Sequence, residues 1–143
     1  MGYAFGHIDE MGNGYGFRKV RQALGVTAFG VNAIVYPPGQ EGFPHYHERQ
    51  DELYFVHAGT ALFEVDGETR EVGPGGLVHV EAPSVRKVSN PGTDDLVLLV
   101  VGAHGGYVGR DGQLVNSEDL ERRKAFGQGG VGSTEPLETR KEN

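Results

Sequence analysis

The chain of 143 residues contains no cysteine. It therefore has no disulfide, no thiolate nucleophile and no cysteine-rich zinc site. It also lacks any uncharged apolar stretch of the roughly eighteen residues that a membrane helix requires. The N-terminus has no basic region followed by an apolar run, which argues against a secretory signal. These absences predict a soluble cytoplasmic protein.

Basic residues are also scarce. Thirteen Lys and Arg stand against twenty Asp and Glu, which gives a formal net charge of −7. This excess of negative charge argues against nucleic acid or an anionic membrane as the main partner. The length suffices for one hydrophobic core and is too short for two ordinary ones.

Glycine is abundant, at 24 residues, and with seven prolines it divides the chain into short segments. Several segments are β-branched or alternate apolar with polar residues, which is typical of strands joined by turns. Asp66-Gly67 predicts a two-residue type I′ hairpin. The pattern indicates an all-β sandwich or barrel. The predicted strands are Val26–Tyr36, Glu52–Ala58, Ala61–Val65, Glu68–Val72, Leu77–Glu81, Val85–Ser89 and Asp95–Val101.

The C-terminal part differs in composition. Ser117–Phe126 predicts one short helix with Ser117 as its N-cap and acidic residues in its first turn. Residues 127–143 carry too little apolar surface to fold and are expected to be disordered. We therefore predict one domain over residues 1–126, with an N-terminal strand extension, followed by a tail.

The candidate site lies between Gly39 and Gly59. His45 and His47 are two residues apart, so both imidazoles share a face if the segment is extended. Glu52 follows after a short polar break. Two imidazoles and one carboxylate form a facial triad suited to a divalent metal. Asp51 is the adjacent alternative, but alternation sends the two carboxylates to opposite faces, and the spacing favours Glu52.

This segment reads G-x5-H-x-H-x4-E-x6-G and resembles the first signature motif of the cupin superfamily. The resemblance implies a single small β-barrel of the jelly-roll (double-stranded β-helix) type. It further implies a divalent metal (Fe, Mn, Ni or Zn) on His45, His47 and Glu52, a small-molecule ligand and a homodimer. Val26–Tyr36 is the expected partner segment of that dimer.

A second cupin motif is only partly matched, in the segment from Gly75 to Asn90. The spacing is kept, but Arg86 stands where the family has its third histidine ligand. An arginine has no lone pair to offer a metal. Arg86 can neutralise Glu52 and make a cation unnecessary, clamp an anionic substrate with its guanidinium, or point to solvent.

Two further residues are candidates for the site. Tyr54 lies two residues beyond Glu52 and should share its face, where its phenol can orient or protonate a ligand. His79 lies between two valines, Val78 and Val80. If the valines face the core, His79 faces outward, and in the reverse register it replaces the missing third ligand.

Two functions follow from these residues and the resemblance. The first is a metal-dependent enzyme of oxygenase, isomerase or decarboxylase type, acting on a small anionic or carbonyl-bearing substrate, with Arg86 as anion clamp. The second is a metal-free anion-binding or sensing protein in which Arg86 pairs with Glu52. Without a metal, a histidine beside Glu52 is expected to have a raised pKa.

Overall fold

The computed structural model describes residues 2–109 and 111–127. Within them the chain forms two five-stranded antiparallel sheets that face each other as a jelly roll. This confirms the predicted all-β architecture. Sheet A has the strand order β1 (Gly16–Arg18), β2 (Gly30–Tyr36), β9 (Leu96–Ala103), β4 (Asp51–Ala58) and β7 (Leu77–Val80). Sheet B has the strand order β10 (Gly112–Leu114), β3 (His45–His47), β8 (Arg86–Ser89), β5 (Ala61–Val65) and β6 (Glu68–Val72).

The turns follow the predicted glycine chemistry. Asp66 and Gly67 have φ values of 49° and 89° and join β5 to β6, so both central residues of this hairpin are left-handed, as a type I′ turn requires. Gly59 has a φ of 81°, and a Cβ there would lie 2.4 Å from the carbonyl oxygen of Asp95. Only glycine fits at this end of β4.

The hydrophobic core lies between the two sheets, since alternate residues of their strands point inward. Tyr54 and Phe63, from opposite sheets, meet edge-on with ring centroids 5.2 Å apart. Towards one end this core gives way to the polar residues of the candidate site. The buried apolar core residues are Ile34, Tyr36, Tyr54, Val56, Ala61, Phe63, Val80, Val88, Leu96 and Leu98.

Two α-helices accompany the sheets in the described residues, in addition to a 3₁₀ turn at Ile8–Glu10. Helix α2, Asp119–Gly127, is the predicted C-terminal helix and begins two residues later than expected. Helix α1, Val20–Leu24, was not predicted, because one and a half turns give too short a pattern to recognise. Neither helix has the length and apolar character to span a bilayer. The predicted tail lies outside the described residues except for Gly127.

Val26–Tyr36, the expected partner segment of a dimer, contains strand β2, which lies between β1 and β9. The short strand β1 covers three residues on one side of β2, namely Ala33, Ile34 and Val35. The outward residues of β2, Val31 and Ala33, pack under α1, against Val20 and Leu24 of the same chain. The apolar pattern of β2 therefore reflects burial within one subunit. The homodimer itself stays a prediction.

Candidate metal site

Strand β3 carries the two histidines of the motif. His45 and His47 point to the same side, into the space between the sheets, with ring centroids 5.3 Å apart. The strand begins after Gly42, where a Cβ would lie 1.9 Å from the carbonyl oxygen of Val88. The close approach at Gly42 sets β3 directly against β8.

Glu52 reaches the histidines through the turn between β3 and β4. The carboxylate of Asp111 accepts hydrogen bonds from the backbone N–H groups of Arg49 at 2.9 Å and Gln50 at 2.8 Å. Asp111 is itself buried at the start of β10. A residue about sixty positions away therefore fixes the turn that brings the carboxylate to the two imidazoles.

The three predicted ligands converge in the structure. One potential ligand atom from each of His45, His47 and Glu52 lies within 4.8 Å of the other two. Nε2 of His47 lies 3.2 Å from Oε2 of Glu52. Two atoms bound side by side to one ion at about 2.1 Å are roughly 3 Å apart, so this spacing fits a shared metal. It also fits a direct hydrogen bond.

The Oε1 oxygen of Glu52 is held by two residues of the protein interior. Tyr54 donates its hydroxyl to Oε1 of Glu52 at 2.6 Å, and Nε of Arg86 lies 3.7 Å from the same atom. Both contacts come from the protein interior, because Tyr54 and Arg86 are almost fully buried. They leave Oε2 directed at His47.

Arg86 does not point to solvent; its exposed fraction is 0 %. It lies opposite His45 on the neighbouring strand. Its guanidinium donates to the carbonyl oxygens of Val80, Glu81 and Ala82 at 3.2 to 3.3 Å. The side chain thus fills the third-histidine position, binds the β7–β8 turn and sets a fixed positive charge behind Glu52.

The protonation states suit metal ligands. Burial lowers the pKa of His45 to about 4 despite the opposing effect of Glu52, so its imidazole is neutral at pH 7. This is the reverse of the raised pKa expected for a histidine beside Glu52. Burial by itself raises the pKa of Glu52, but the hydrogen bond with His47 and the electrostatic effects of His47, His45 and Arg86 outweigh it and lower the pKa to about 2.

The tautomers follow from the other ring nitrogens. Nδ1 of His45 donates to the carbonyl oxygen of Phe43 at 3.1 Å, which leaves a lone pair on Nε2. Nδ1 of His47 contacts the side-chain amide of Gln50 at 3.0 Å and lies 3.6 Å from the carboxylate of Asp111. In this arrangement the amide N–H of Gln50 donates to Nδ1, which places the ring proton on Nε2, towards Glu52. A metal on Nε2 requires the other tautomer, with the proton on Nδ1.

These side chains face a cavity of about 150 Å³. An apolar wall from both sheets forms part of it, and Asn32 and Gln50 add neutral polar groups. Three cationic residues also line it, namely Lys19 and Arg21 near α1 and Arg123 on α2. The cavity therefore joins the His-His-Glu cluster to positively charged side chains from the two flanks of the chain.

The remaining candidates lie elsewhere. His79 is exposed on the outer face of β7, because Val78 and Val80 face inward. Asp51, which was expected to be solvated, accepts a hydrogen bond from the N–H of Ala82 at 2.9 Å. Sequence reasoning missed Asp111 and Arg123, since nothing local marks either residue as part of a site.

A jelly roll with two histidines, a carboxylate and a small internal cavity defines a class of small-molecule-binding β proteins. Residues 33–102 match the family model of the cupin domain. This segment, a little under half of the chain, carries the cupin domain, and the cupin structures described below support a small cupin-domain protein. The match covers every residue of the His-His-Glu cluster and ends before Asp111, β10 and α2.

Two curated proteins are similar to the chain. An uncharacterized protein of Methanocaldococcus jannaschii is 29% identical over 83 residues, which cover 58% of this chain and 61% of that protein. The match thus spans less than two thirds of that relative. An oxalate-binding protein of Thermotoga maritima is 25% identical over 99 residues, covering 66% of this chain and 82% of that protein.

Solved structures agree on the fold. A cupin protein from Bacteroides fragilis aligns with a TM-score of 0.63 and 19% identity, over 73% of this chain and 86% of that chain. A sugar phosphate isomerase of the cupin superfamily from Silicibacter pomeroyi aligns with a TM-score of 0.58 and 28% identity, over 62% of this chain and 58% of that chain.

Proposed function

We propose that the protein is a metal-dependent cupin enzyme that acts on a small anionic or carbonyl-bearing molecule. The observation that carries this proposal is the convergence of His45, His47 and Glu52, with ligand atoms within 4.8 Å, on the wall of a cavity of about 150 Å³. An engineered cavity of similar volume holds a molecule the size of benzene. The substrate is therefore small.

The donor set fits a divalent ion. His45 is neutral with a lone pair on Nε2, Glu52 is ionised, and Nε2 of His47 lies at a spacing that a shared ion allows. Two imidazoles and a carboxylate suit Fe, Mn, Ni or Zn. A divalent ion bound here supplies Lewis-acid polarisation of a ligand oxygen, as oxygenase, isomerase and decarboxylase chemistry all require.

The surrounding residues position this cluster. Tyr54 and Arg86 fix one oxygen of Glu52, while Asp111 fixes the turn before it. Burial, together with the charge of Glu52, raises the pKa of Tyr54 well above its ordinary value, so the phenol keeps its proton for Glu52. Tyr54 is accordingly a positioning residue, and Arg86 acts on the carboxylate instead of on a substrate.

The names of relatives support an oxygen-rich anion as ligand. One relative is called an oxalate-binding protein, and one similar structure is called a sugar phosphate isomerase. Both names describe small molecules with anionic oxygen atoms.

Elemental analysis of untagged protein tests the metal. We expect close to one equivalent of Fe, Mn, Ni or Zn per chain after reconstitution, and less than about a tenth of an equivalent for His47→Ala. His79→Ala is the matched control, because His79 is an exposed strand histidine outside the cluster. Wild-type protein that stays metal-free after incubation with each of the four ions contradicts the proposal.

A second function, metal-free anion binding, is favoured by one specific observation. The amide of Gln50 can donate to Nδ1 of His47, whose Nε2–H then donates to Glu52. With Tyr54 and Arg86 on its other oxygen, Glu52 is satisfied without a cation. In this state Arg86 supplies the positive charge that a metal supplies in the first function.

A further inference from the structure

Within the part of the chain that the structure describes, Nδ1 of His47 has one hydrogen-bond partner. The side-chain nitrogen Nε2 of Gln50 lies 3.0 Å from it, which is hydrogen-bond distance. Oδ2 of Asp111 lies 3.6 Å from the same nitrogen, which is too far for such a bond. The amide of Gln50 therefore governs the protonation of Nδ1.

Gln50 is held in this position from two sides. Its backbone N–H donates to Oδ2 of Asp111 at 2.8 Å. Its side-chain oxygen Oε1 lies beside Gly102 of β9, where a Cβ would come within 2.8 Å of that oxygen. Glycine at position 102 thus leaves the space that the amide of Gln50 occupies at the cavity wall.

The amide decides which nitrogen of His47 carries the proton. When Gln50 donates to Nδ1, the proton of a neutral ring lies on Nε2 and points at Oε2 of Glu52, 3.2 Å away. Nε2 then has no lone pair for a metal. A metal on Nε2 requires the proton on Nδ1, and that proton needs an acceptor where Gln50 now presents a donor.

A glutamine suits both states of the ring. Its side chain carries an acceptor oxygen and a donor NH₂ on one planar group, so half a turn of that group exchanges the two. A carboxylate at position 50 would only accept, and an ammonium group would only donate. With glutamine, Nδ1 of His47 keeps a hydrogen bond in the empty site and in the loaded one.

We propose that Gln50 is a positioning residue that sets the tautomer of His47 and thereby switches the site between a metal-free and a metal-binding state. In the metal-free state the amide donates to Nδ1, and Nε2–H of His47 donates to Glu52. In the metal-binding state the amide is turned, accepts from Nδ1–H and leaves the lone pair of Nε2 free. This inference deepens the proposed function and rests on it for the metal.

Nitrogen-15 NMR of the histidine rings in metal-free protein, at about pH 8, tests the first state directly. We expect His47 to carry its proton on Nε2 and to show a scalar coupling across the N–H···N bond to Gln50. His45 serves as the internal reference for the other tautomer, because its Nδ1 donates to Phe43. Titration with Zn²⁺ should move the His47 proton to Nδ1 and abolish the coupling. A metal-free wild-type His47 protonated on Nδ1, or on both nitrogens, overturns the proposal.

Gln50→Glu keeps the shape of the side chain and removes its donor. It should place the His47 proton on Nδ1 even without a metal and lower the Kd for Zn²⁺ about tenfold. Asn32→Asp is the matched control, because it adds the same charge to the cavity wall from another strand, β2, and should leave the His47 proton on Nε2. A His47 ring still protonated on Nε2 in Gln50→Glu overturns the role of position 50, whatever the gain in affinity.

This inference and the proposed function fail in different ways. If Zn²⁺ binds to wild type but metal-free His47 carries its proton on Nδ1, the metal function stands and the role of Gln50 fails. If metal-free His47 is bonded to Gln50 as expected, but neither wild type nor Gln50→Glu binds Zn²⁺ at about 1 mM, the metal function and the switch fail together. The wild-type spectrum needs no substitution, so it is decisive even where Gln50→Glu is less stable than wild type.

Discussion

The hydroxyl of Tyr54 donates a hydrogen bond of 2.6 Å to Oε1 of Glu52, from within the hydrophobic core. The two residues are neighbours on the inward face of β4. Because this bond fixes one carboxylate oxygen, the other oxygen is presented to His47 at 3.2 Å. The orientation of the candidate metal ligand therefore depends on a core residue.

Tyr54→Phe should weaken metal binding without altering the fold. The ring and its contact with Phe63 remain, but Glu52 loses a donor, and outer-shell changes of this kind lower metal affinity about tenfold or more. Competition against a metallochromic chelator measures the change. Tyr46→Phe is the control, because Tyr46 faces the other side of β3. Unchanged affinity in Tyr54→Phe would contradict the positioning role.

Arg86→His should lower the stability of the metal-free protein and raise its affinity for metal. The change removes donors from three carbonyl oxygens and a buried partner from Glu52, at a cost of about 3 kcal/mol. It also sets an imidazole opposite His45, at the family's ligand position. Chemical denaturation with EDTA or Zn²⁺ measures both effects.

The same variant distinguishes the two proposed functions. If wild type binds no metal and Arg86→His does, the metal-free function is favoured. If the two bind metal alike, the charge of Arg86 does not govern the cluster. Arg70→His is the matched control, at an exposed site on β6.

Asp111→Asn should loosen the turn that carries Glu52. Both short bonds, from the N–H groups of Arg49 and Gln50, go to Oδ2 of Asp111, and Arg49 N–H also contacts Oδ1 at 3.2 Å. The amide removes the negative charge that strengthens these bonds, and its NH₂ group cannot accept the contact made by Oδ1. We expect a loss of about 1–2 kcal/mol in the free energy of unfolding and a weaker metal site. Asp95→Asn, at the exposed contact with Tyr15, should have little effect on either measurement.

Acid should destabilise the metal-free protein below about pH 6.5. The pKa of His45 falls from 6.5 in the unfolded chain to about 4 in the folded one, so the unfolded chain binds more protons between these values. The lowered pKa of His45 contributes about 2 kcal/mol to the free energy of unfolding at neutral pH. This value is reduced for solvent screening, because His45 is only half-buried. Glu52, with a pKa lowered to about 2, extends the loss below pH 4.5.

Urea denaturation between pH 4 and pH 8, with and without chelator, measures this profile. Burial lowers the pKa of His45 even without a metal. The slope of the unfolding free energy against pH therefore does not by itself report metal binding. The metal appears instead as a gap between the loaded and chelated curves that closes as the pH falls. Constant stability from pH 7 down to pH 4 in chelated protein would be inconsistent with a lowered pKa for His45.

Local sequence patterns predicted much of the fold. Alternation and glycine turns are properties of a few neighbouring residues, so β2, the strands β4 to β9 and the Asp66-Gly67 hairpin were recognisable. The three-residue strands β1 and β10 were not predicted, because three residues are too short to show alternation. The spacing of His45, His47 and Glu52 is similarly local, and the structure brings these three residues together. The apolar face of β2 was ambiguous, because burial under α1 and burial against a second subunit demand the same residues.

Contacts between distant segments were not predictable. Asp111 meets the turn at Arg49 across 62 positions, and Arg123 reaches the cavity from the last helix. The burial of Arg86 depends on three carbonyl groups of the β7–β8 turn, and backbone carbonyls leave no trace in a sequence pattern. The positions of Asp111, Arg123 and Arg86 all depend on contacts that the tertiary structure creates, and such contacts are not visible in a local sequence pattern.

The guanidinium behind Glu52 changes the electrical balance of the cluster. When both imidazoles are neutral, as metal ligands must be, they sum to zero with one carboxylate and one guanidinium, whereas three neutral imidazoles and a carboxylate sum to −1. A divalent cation bound by this chain would therefore keep its full double charge, and a dianion would complete neutrality. Arginine in place of histidine thus weakens the electrostatic attraction of the cluster for a divalent cation and strengthens its attraction for a dianion. Either ion alone leaves the site charged, whereas the two bound together keep it neutral.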